Sequence, residues 1–179
     1  MLAAGGGSRF VAPAHKLLAE LNGRPLVRFA LDAAIGAGLD ETAVVTGAVD
    51  LGPIVPAGVT VLDNPEWREG LASSIGVGLA WAAERGHEAV VVGLGDQPFV
   101  PSRAWSAVAR SQSPIAVATF GGDRRPPVRL AADTWSLVPR SGDIGARVLF
   151  SSRPDLVVEV PCDGDPADID TLEDLHRWS

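Results

Sequence analysis

The 179-residue chain is long enough for one domain with a buried core, and its 46% content of hydrophobic residues excludes a disordered protein. Its formal net charge of −7 argues against general nucleic-acid binding, yet leaves room for an anionic small molecule at a local basic site. The single cysteine, Cys162, excludes an internal disulfide and indicates a reducing, cytoplasmic location, and neither a membrane-spanning run nor a signal-peptide pattern occurs.

The chain opens on a glycine-rich stretch, LAAGGGSRFVAPAHK at residues 2–16, with Arg9 and Lys16 beside the glycines. Glycines let backbone N–H groups approach an anion closely, and phosphate is the usual ligand of such a loop. The stretch matches neither the Walker A nor the dinucleotide-binding pattern. An ordinary flexible turn is the alternative, which the two basic residues disfavour. Only residues 1–4 precede the loop, so the strand before it is either very short or, as we expect, incomplete in this sequence.

Strands and helices alternate along the rest of the chain. Short apolar, β-branched runs predict strands, and apolar residues at helical spacing predict helices. The predicted elements are the end of a strand at 2–4, a helix over 25–37, strands at 43–46 and 58–62, a helix over 75–85 capped by Ser73 or Ser74, a strand at 89–94, a helix over 101–110, strands at 115–120 and 128–130, a helix over 143–151, a strand at 156–160 and a helix over 171–178. This alternation predicts a three-layer α/β/α sandwich with a mainly parallel sheet, in one domain over residues 1–179.

Polar segments follow three of the predicted strands, where ligands bind in sheets of this kind. Besides the glycine loop, these are residues 95–98 (GDQP) and residues 168–171 (DIDT). Asp96 either shares Mg²⁺ with phosphate oxygens or forms a turn before Pro98. Asp168 and Asp170 point the same way in extended backbone. Asp170 either completes the metal site or belongs to an acidic helix start, and the second interpretation is favoured for Asp168.

These motifs, together with NPEWREGLASS and DIDTLEDL, resemble the MobA-like NTP transferases along essentially the whole chain, above all the molybdenum cofactor cytidylyltransferase (MocA-like) branch. The resemblance implies a Rossmann-like fold of the nucleotide-diphospho-sugar transferase type. It also implies Mg²⁺-dependent transfer of CMP or GMP to molybdopterin with release of pyrophosphate. The glycine loop begins with Ala3, Ala4 and Gly5, where the alternative in the family is Ala-Gly-Gly. The resemblance therefore implies CTP rather than GTP as the nucleotide. A molybdoenzyme or its maturation factor is an implied partner.

The resemblance also implies roles for individual residues. Arg9 would hold the triphosphate together with the loop amides, and Lys16 would stabilise charge on the α-phosphate and the leaving pyrophosphate. Asp96 and Asp170 would bind Mg²⁺. The acceptor's own phosphate would be the nucleophile, so no catalytic Ser or Cys is expected. The implied nucleotide-binding residues are Ala3, Ala4, Gly5, Gly6, Gly7, Ser8, Asn64, Gly70 and Ser74.

A second basic cluster, in GGDRRPPVRL, stands where the family has an acceptor loop. Arg124, Arg125 and Arg129 either bind the acceptor's phosphate or lie on a solvated hairpin. The segment from Val11 to His15 departs from the family pattern, which has glycine after Phe10 and in the spacer before the lysine. A non-catalytic binder that holds a nucleotide or cofactor for a partner enzyme therefore stays open. A different phosphorylated acceptor, such as a sugar phosphate or phospholactate, is the third alternative.

Overall fold

The computed structural model describes residues 1–178; Ser179, the last residue of the predicted domain, lies outside the described residues. The strands are β1 (Glu20–Leu21), β2 (Arg24–Pro25), β3 (Thr42–Thr46), β4 (Val59–Asp63), β5 (Ala89–Val92), β6 (Ile115–Phe120), β7 (Asp123–Ala131) and β8 (Val157–Pro161). The α-helices are α1 (Leu26–Gly36), α2 (Leu71–Glu84), α3 (Ser102–Ala109), α4 (Leu149–Ser152) and α5 (Leu172–Trp178). No helix in this part of the chain is long and apolar enough to cross a membrane.

Six of the strands, β3 to β8, form one mixed sheet that is mainly parallel, and β1 and β2 pair separately. Leu2 joins its two halves, because it forms parallel bridges to Val45 of β3 and to Leu94 just after β5. The resulting order is β4, β3, the Leu2 segment, β5, β7, β6 and β8. Only β7 runs antiparallel to its neighbours β5 and β6, whereas β3–β4 and β6–β8 are parallel pairs. The predicted fold class, a mainly parallel sheet in an α/β fold, is confirmed.

Helices cover both faces of this sheet, and strand β6 shows how the two layers are separated. Alternate residues of a strand point to opposite faces. Ile115 and Val117 belong to the apolar cluster that contains residues of α2. Ala116, Ala118 and Phe120 belong to the cluster built by α1 and α3. Every residue of β6 is buried, which fits a central strand in a three-layer sandwich.

Several elements differ from the sequence predictions for local reasons. Helix α2 begins at Leu71 behind Gly70, because the hydroxyls predicted to cap it are occupied by other partners. β7 is much longer than the predicted strand at 128–130, since Gly121 and Gly122 form a two-residue hairpin turn with positive φ. The predicted helix over 143–151 is a 3₁₀ turn (Gly145–Val148) followed by α4. Asn22 and Gly23 close the small β1–β2 hairpin, which the sequence prediction missed although Asn-Gly is its usual signal.

A cavity of about 610 Å³ lies beside Met1, between β3 and β5. At the end of the cavity that lies toward the carboxyl ends of the two strands, Met1 and Leu2 connect them through hydrogen bonds with Val45 and Gly93. Toward the amino ends of the strands, the cavity is lined by Thr42 and Ala43 of β3, by all of β5 and by residues of α2. The middle of the sheet is therefore closed by a very short segment at one end only.

A chain produced with Met1 as its free amino terminus is expected to have a stability that depends on pH. The amine donates to the Ala43 carbonyl at 2.7 Å, and burial lowers its pKa from 8.0 to about 5. Between these values the unfolded chain binds a proton that the folded chain does not. The free energy of unfolding therefore falls as the pH falls from 8 to 5, by about 4 kcal/mol at most, since each pKa unit corresponds to about 1.4 kcal/mol.

Urea titrations at pH 8 and pH 5 measure this loss. The control is the same chain with an acetylated N-terminus, which has no amine to protonate. Equal pH dependence in the two chains would contradict the assignment of the effect to Met1.

Candidate active site

A cleft of about 490 Å³ opens at the carboxyl ends of the central strands, where the Leu2 segment turns into the glycine loop. Its floor is apolar, with Ala3 and Ala4 buried at 3% and 4% exposure. The cleft brings together nine of the residues proposed for the site. They are Ala3, Ala4, Gly5, Gly6, Gly7, Lys16, Gly70, Ser74 and Asp96.

Close backbone packing explains two of the glycines at this cleft. A Cβ on Gly6 would lie 3.0 Å from the ring of Trp67, so the loop backbone packs directly on the indole. Gly70 has a φ of +99°, and a Cβ there would lie 2.6 Å from the backbone of Gly142. The backbone contact at Gly70 is one that only glycine allows, whereas a methyl group at Gly6 would require the Trp67 ring to shift slightly. The Arg68 guanidinium lies 4.2 Å from the Trp67 ring centre, and both residues line the cleft.

Lys16 reaches the cleft from a 3₁₀ turn, Lys16–Leu18, which Leu17 anchors in the core at 2% exposure. His15 fastens this turn to the glycine loop. Its Nδ1 accepts from the Leu17 amide at 3.3 Å, so Nε2 is the nitrogen that donates to the Gly5 carbonyl at 3.0 Å. Burial lowers the pKa of His15 below 6.5 against the effect of that carbonyl, and the charge of Lys16 lowers it further. The sequence analysis gave His15 no role, and the contacts make it a positioning residue.

Two aspartates converge on the Lys16 ammonium. Its Nζ donates to Asp96 Oδ2 at 2.6 Å and to Asp170 Oδ1 at 2.9 Å. Arg9 pairs with the other oxygen of Asp170 at 2.8 Å. Burial opposes the charged form of Lys16, but Asp96 and Asp170 outweigh it and raise its pKa above 10.5. The ammonium is therefore charged throughout the neutral range.

A backbone hydrogen bond at a buried residue holds these distant aspartates close together. Asp96 lies beyond the end of β5 and Asp170 just before α5. Between them Ile169, which is fully buried, donates its amide to the Asp96 carbonyl at 3.0 Å. At the start of α5, Thr171 and Asp174 bond reciprocally, each side chain accepting from the other's amide. Since Asp174 also accepts from the Asp170 amide, the backbone that carries the Asp170 carboxylate is held from both sides.

Asp168 is a third carboxylate behind this pair. Among the described residues its Oδ1 is buried without a hydrogen-bond partner, and burial, followed by the charge of Asp96, raises the pKa of Asp168 above 3.8. Asp168 therefore adds negative potential beside Asp96, which lines the cleft, and beside Asp170, which shares the Lys16 ammonium with it. The sequence analysis favoured an acidic helix start for it, a role that the structure gives to Asp174.

Asn64 lies behind the wall of the cleft at 2% exposure. Its Nδ2 donates to the hydroxyls of Ser73 at 3.0 Å and Ser74 at 2.9 Å, and its Oδ1 accepts from the Glu66 amide at 3.0 Å. This network fixes the segment that leads into α2. Ser74 faces the cleft, whereas Asn64 does not line it.

The structure does not bring the three predicted acceptor-site arginines together. Arg124 pairs with Glu159 at 2.8 Å. Arg129 donates to the Ser113 carbonyl at 2.6 Å, before the amino-terminal end of β6 and therefore away from the cleft. This separation corrects the prediction of one cluster, and its cause is the nine-residue length of β7, which places residues 124 and 129 at opposite ends of β6. Arg125 is exposed, and its charge acts on Asp168.

The donor set at Lys16 fits a divalent cation that also binds a ligand. The Lys16 ammonium already occupies the position of a cation between two carboxylates. Within residues 1–178, no group of three or more His, Cys, Asp or Glu residues is arranged to hold a metal by itself. Mg²⁺ typically takes one or two carboxylates and completes its shell with phosphate oxygens and water. Asp96 and Asp170 beside a phosphate-sized glycine loop match that requirement.

Comparisons with known proteins identify the family of the chain. A family model of the MobA-like NTP transferase domain matches residues 1–160. The chain is 30% identical to nicotine blue oxidoreductase of Paenarthrobacter nicotinovorans, an alignment that covers 99% of this chain and 93% of that protein. It is 33% identical to molybdenum cofactor guanylyltransferase of Cereibacter sphaeroides, over 74% of this chain and 70% of that protein.

Solved structures show the same fold. Rv0371c of Mycobacterium tuberculosis H37Rv superposes with a TM-score of 0.79 and 28% identity, over 98% of this chain and 93% of that one. A structure of Rv0371c in complex with manganese gives a TM-score of 0.74 and 26% identity, over 99% and 94% of the two chains. The fold, the cleft and the family match lead to one conclusion: the chain belongs to the MobA-like NTP transferases and is a nucleotidyltransferase.

Proposed function

We propose that the enzyme transfers CMP from CTP, in preference to GMP from GTP, to a molybdopterin-type acceptor with Mg²⁺ as cofactor. The observation that carries the proposal is the convergence of Lys16, Asp96 and Asp170 beside the glycine loop. The guanylyltransferase relative supports the acceptor, and the manganese complex of Rv0371c supports a divalent cation. In this proposal residues 1–179 form one transferase domain, whose metal site takes Asp170 from beyond the residues matched by the family model.

The reaction needs charge neutralisation and alignment rather than a protein nucleophile. The amides of residues 5–8 and Arg9 bind the triphosphate, and Lys16 stabilises the charge that grows on the α-phosphate and the pyrophosphate. Asp96 and Asp170 would hold Mg²⁺, which would supply further charge neutralisation. An oxygen of the acceptor's phosphate attacks the α-phosphorus in line, and the bond from that phosphorus to the pyrophosphate oxygen breaks.

The acceptor side is proposed to use Arg125. Arg124 and Arg129 have protein partners, whereas the charge of Arg125 acts on Asp168 next to the metal ligands. A negatively charged acceptor approaching from this side would meet Arg125 first. The proposed partner for delivery of the product is a molybdoenzyme or its maturation factor.

The expected result of the defining experiment is pyrophosphate release that requires Mg²⁺, molybdopterin and a nucleotide together. CTP and GTP are compared at equal concentration in a coupled pyrophosphate assay, and we expect the faster rate with CTP. A faster rate with GTP would reverse the assignment of the base. Nucleotide binding without release with molybdopterin, a sugar phosphate or phospholactate would favour the non-catalytic binder instead.

An oxidoreductase activity is the second candidate, because the relative that aligns with 99% of this chain is named nicotine blue oxidoreductase. The paired carboxylates and lysine at the glycine loop favour phosphate chemistry over this alternative. Oxidation of NADH or NADPH by nicotine blue, followed by absorbance in the same preparation, separates the two candidates.

A further inference from the structure

Lys16 is the single lysine among 179 residues, and the other 14 of the 15 basic side chains are arginines. A guanidinium is planar and presents a rigid fork of donors, whereas an ammonium is a compact point charge with three donors. Only the compact cation resembles a metal ion in size and in its contacts with two separate carboxylates. The chain thus places its one lysine ammonium at the position where the proposed function requires a divalent cation.

The contacts show that Lys16 and a bridging metal ion would exclude each other. Nζ lies 2.6 Å from Asp96 Oδ2 and 2.9 Å from Asp170 Oδ1, and only 9% of the side chain is exposed. A Mg²⁺ ion lies about 2.1 Å from its carboxylate ligands. An ion shared by the same two oxygens would therefore overlap the ammonium, so Lys16 has to leave before the ion enters.

We propose that Lys16 is a resident counter-ion that occupies the metal position until the polyphosphate of the nucleotide draws it away, so that divalent-cation binding depends on nucleotide. This inference rests on the proposed function, since it uses the same site. It adds an order of binding, nucleotide before divalent cation, that the transfer reaction alone does not require.

The surroundings of Lys16 explain why a metal ion alone displaces it poorly. Leaving the aspartates costs the ammonium two charge-assisted hydrogen bonds. The neighbouring glycine amides are donors, and the Gly5 carbonyl already accepts from His15. A triphosphate bound at those amides brings negative oxygens that the ammonium can bind instead. The nucleotide thus provides both a new partner for Lys16 and additional ligands for the metal.

The direct test is binding of Mn²⁺ alone, measured by electron paramagnetic resonance in the absence of nucleotide. We expect the wild-type chain to bind Mn²⁺ weakly and Lys16→Met to bind it about tenfold more tightly or better, because Asp96 and Asp170 then no longer hold an ammonium between them. Adding a non-cleavable CTP analogue should tighten Mn²⁺ binding by the wild-type chain by a similar factor.

Arg9→Met is the matched control. It removes one positive charge that contacts Asp170 at 2.8 Å, but the Arg9 side chain is 73% exposed and lies outside the pair of carboxylates. Charge removal alone would give both variants the same gain in Mn²⁺ affinity. A gain confined to Lys16→Met supports the counter-ion, and equal gains or none would overturn it.

A second measurement uses the wild-type chain and needs no variant to fold. Because Lys16 is the only lysine, labelling with ¹³C-lysine gives a single set of side-chain signals. We expect the Cε signal to move when the CTP analogue is added and to stay in place with Mg²⁺ alone. Movement with Mg²⁺ alone would overturn the inference while pyrophosphate release still supports the proposed function. Nucleotide-dependent metal binding without turnover would leave the inference and overturn the transferase reaction.

Discussion

Replacement of Asp96 by Asn is expected to lower the rate of pyrophosphate release by about two to three orders of magnitude, the effect of losing 3–4 kcal/mol of transition-state stabilisation. The amide keeps the size of the side chain but removes the negative charge that the proposed metal requires. It also takes from Lys16 its shorter contact, the 2.6 Å pair with Asp96. The rate is measured under saturating Mg²⁺ and nucleotide.

Asp155→Asn is the matched control for this change. Asp155 pairs with Arg153 on the surface and lies far from the cleft in the fold, before β8. Exposed pairs of this kind contribute little to stability, so the control should retain its activity. Circular dichroism checks that both variants are folded. An Asp96→Asn enzyme with wild-type turnover would remove Asp96 from the metal site.

Replacement of Gly70 by Ala is expected to destabilise the chain by about 3–4 kcal/mol, roughly 1 from the positive φ and the rest from steric overlap. The φ at Gly70 is +99°, and the new methyl carbon would lie 2.6 Å from backbone atoms of Gly142. This backbone cannot rotate away as a side chain can, because the Ala72 amide donates to the Gly142 carbonyl at 3.0 Å. Urea unfolding measures the loss.

Gly58→Ala separates the two contributions. Gly58 has a similar φ of +87°, but nothing lies within 4 Å of the added carbon. We expect this variant to lose only about 1 kcal/mol, the cost of the left-handed backbone. Equal losses at both positions would show that the packing of Gly70 against Gly142 is not tight. A smaller loss at Gly70 would contradict the described wall of the cleft.

Much of the fold could be predicted from local sequence. Strand β6 coincides with the predicted strand at 115–120, since its unbroken apolar run is typical of a strand buried on both faces. The alternation of strands and helices also predicted that residues 95–98 and 168–171 follow strands at the edge of the sheet where ligands bind. Turn geometry was harder to predict, because Gly121 and Gly122 decide the length of β7 through positive φ angles that composition alone does not specify.

The candidate site could be predicted only in part, because its contacts link residues far apart in the chain. Glycine, lysine and aspartate types pointed to phosphate and metal, but the pairing of Lys16 with two carboxylates depends on tertiary structure. The role of Ser73 was predicted wrongly, because the prediction used only its neighbours in the sequence. It reads as a helix cap locally, yet its hydroxyl accepts from Asn64 and lies inside the first turn of α2.

The cavity beside Met1 has a practical consequence for engineering. Residues of β3 and β5 line its two sides, and among residues 1–178 no strand pairs with both of them on the side of Met1 away from Leu2. An extended leader of a few valines or isoleucines, fused ahead of Met1, would fill this space and convert the terminal nitrogen into an ordinary amide. The melting temperature could then be raised by a change toward the amino ends of β3 and β5, away from the active-site cleft. Thermal stability and turnover could thus be engineered separately.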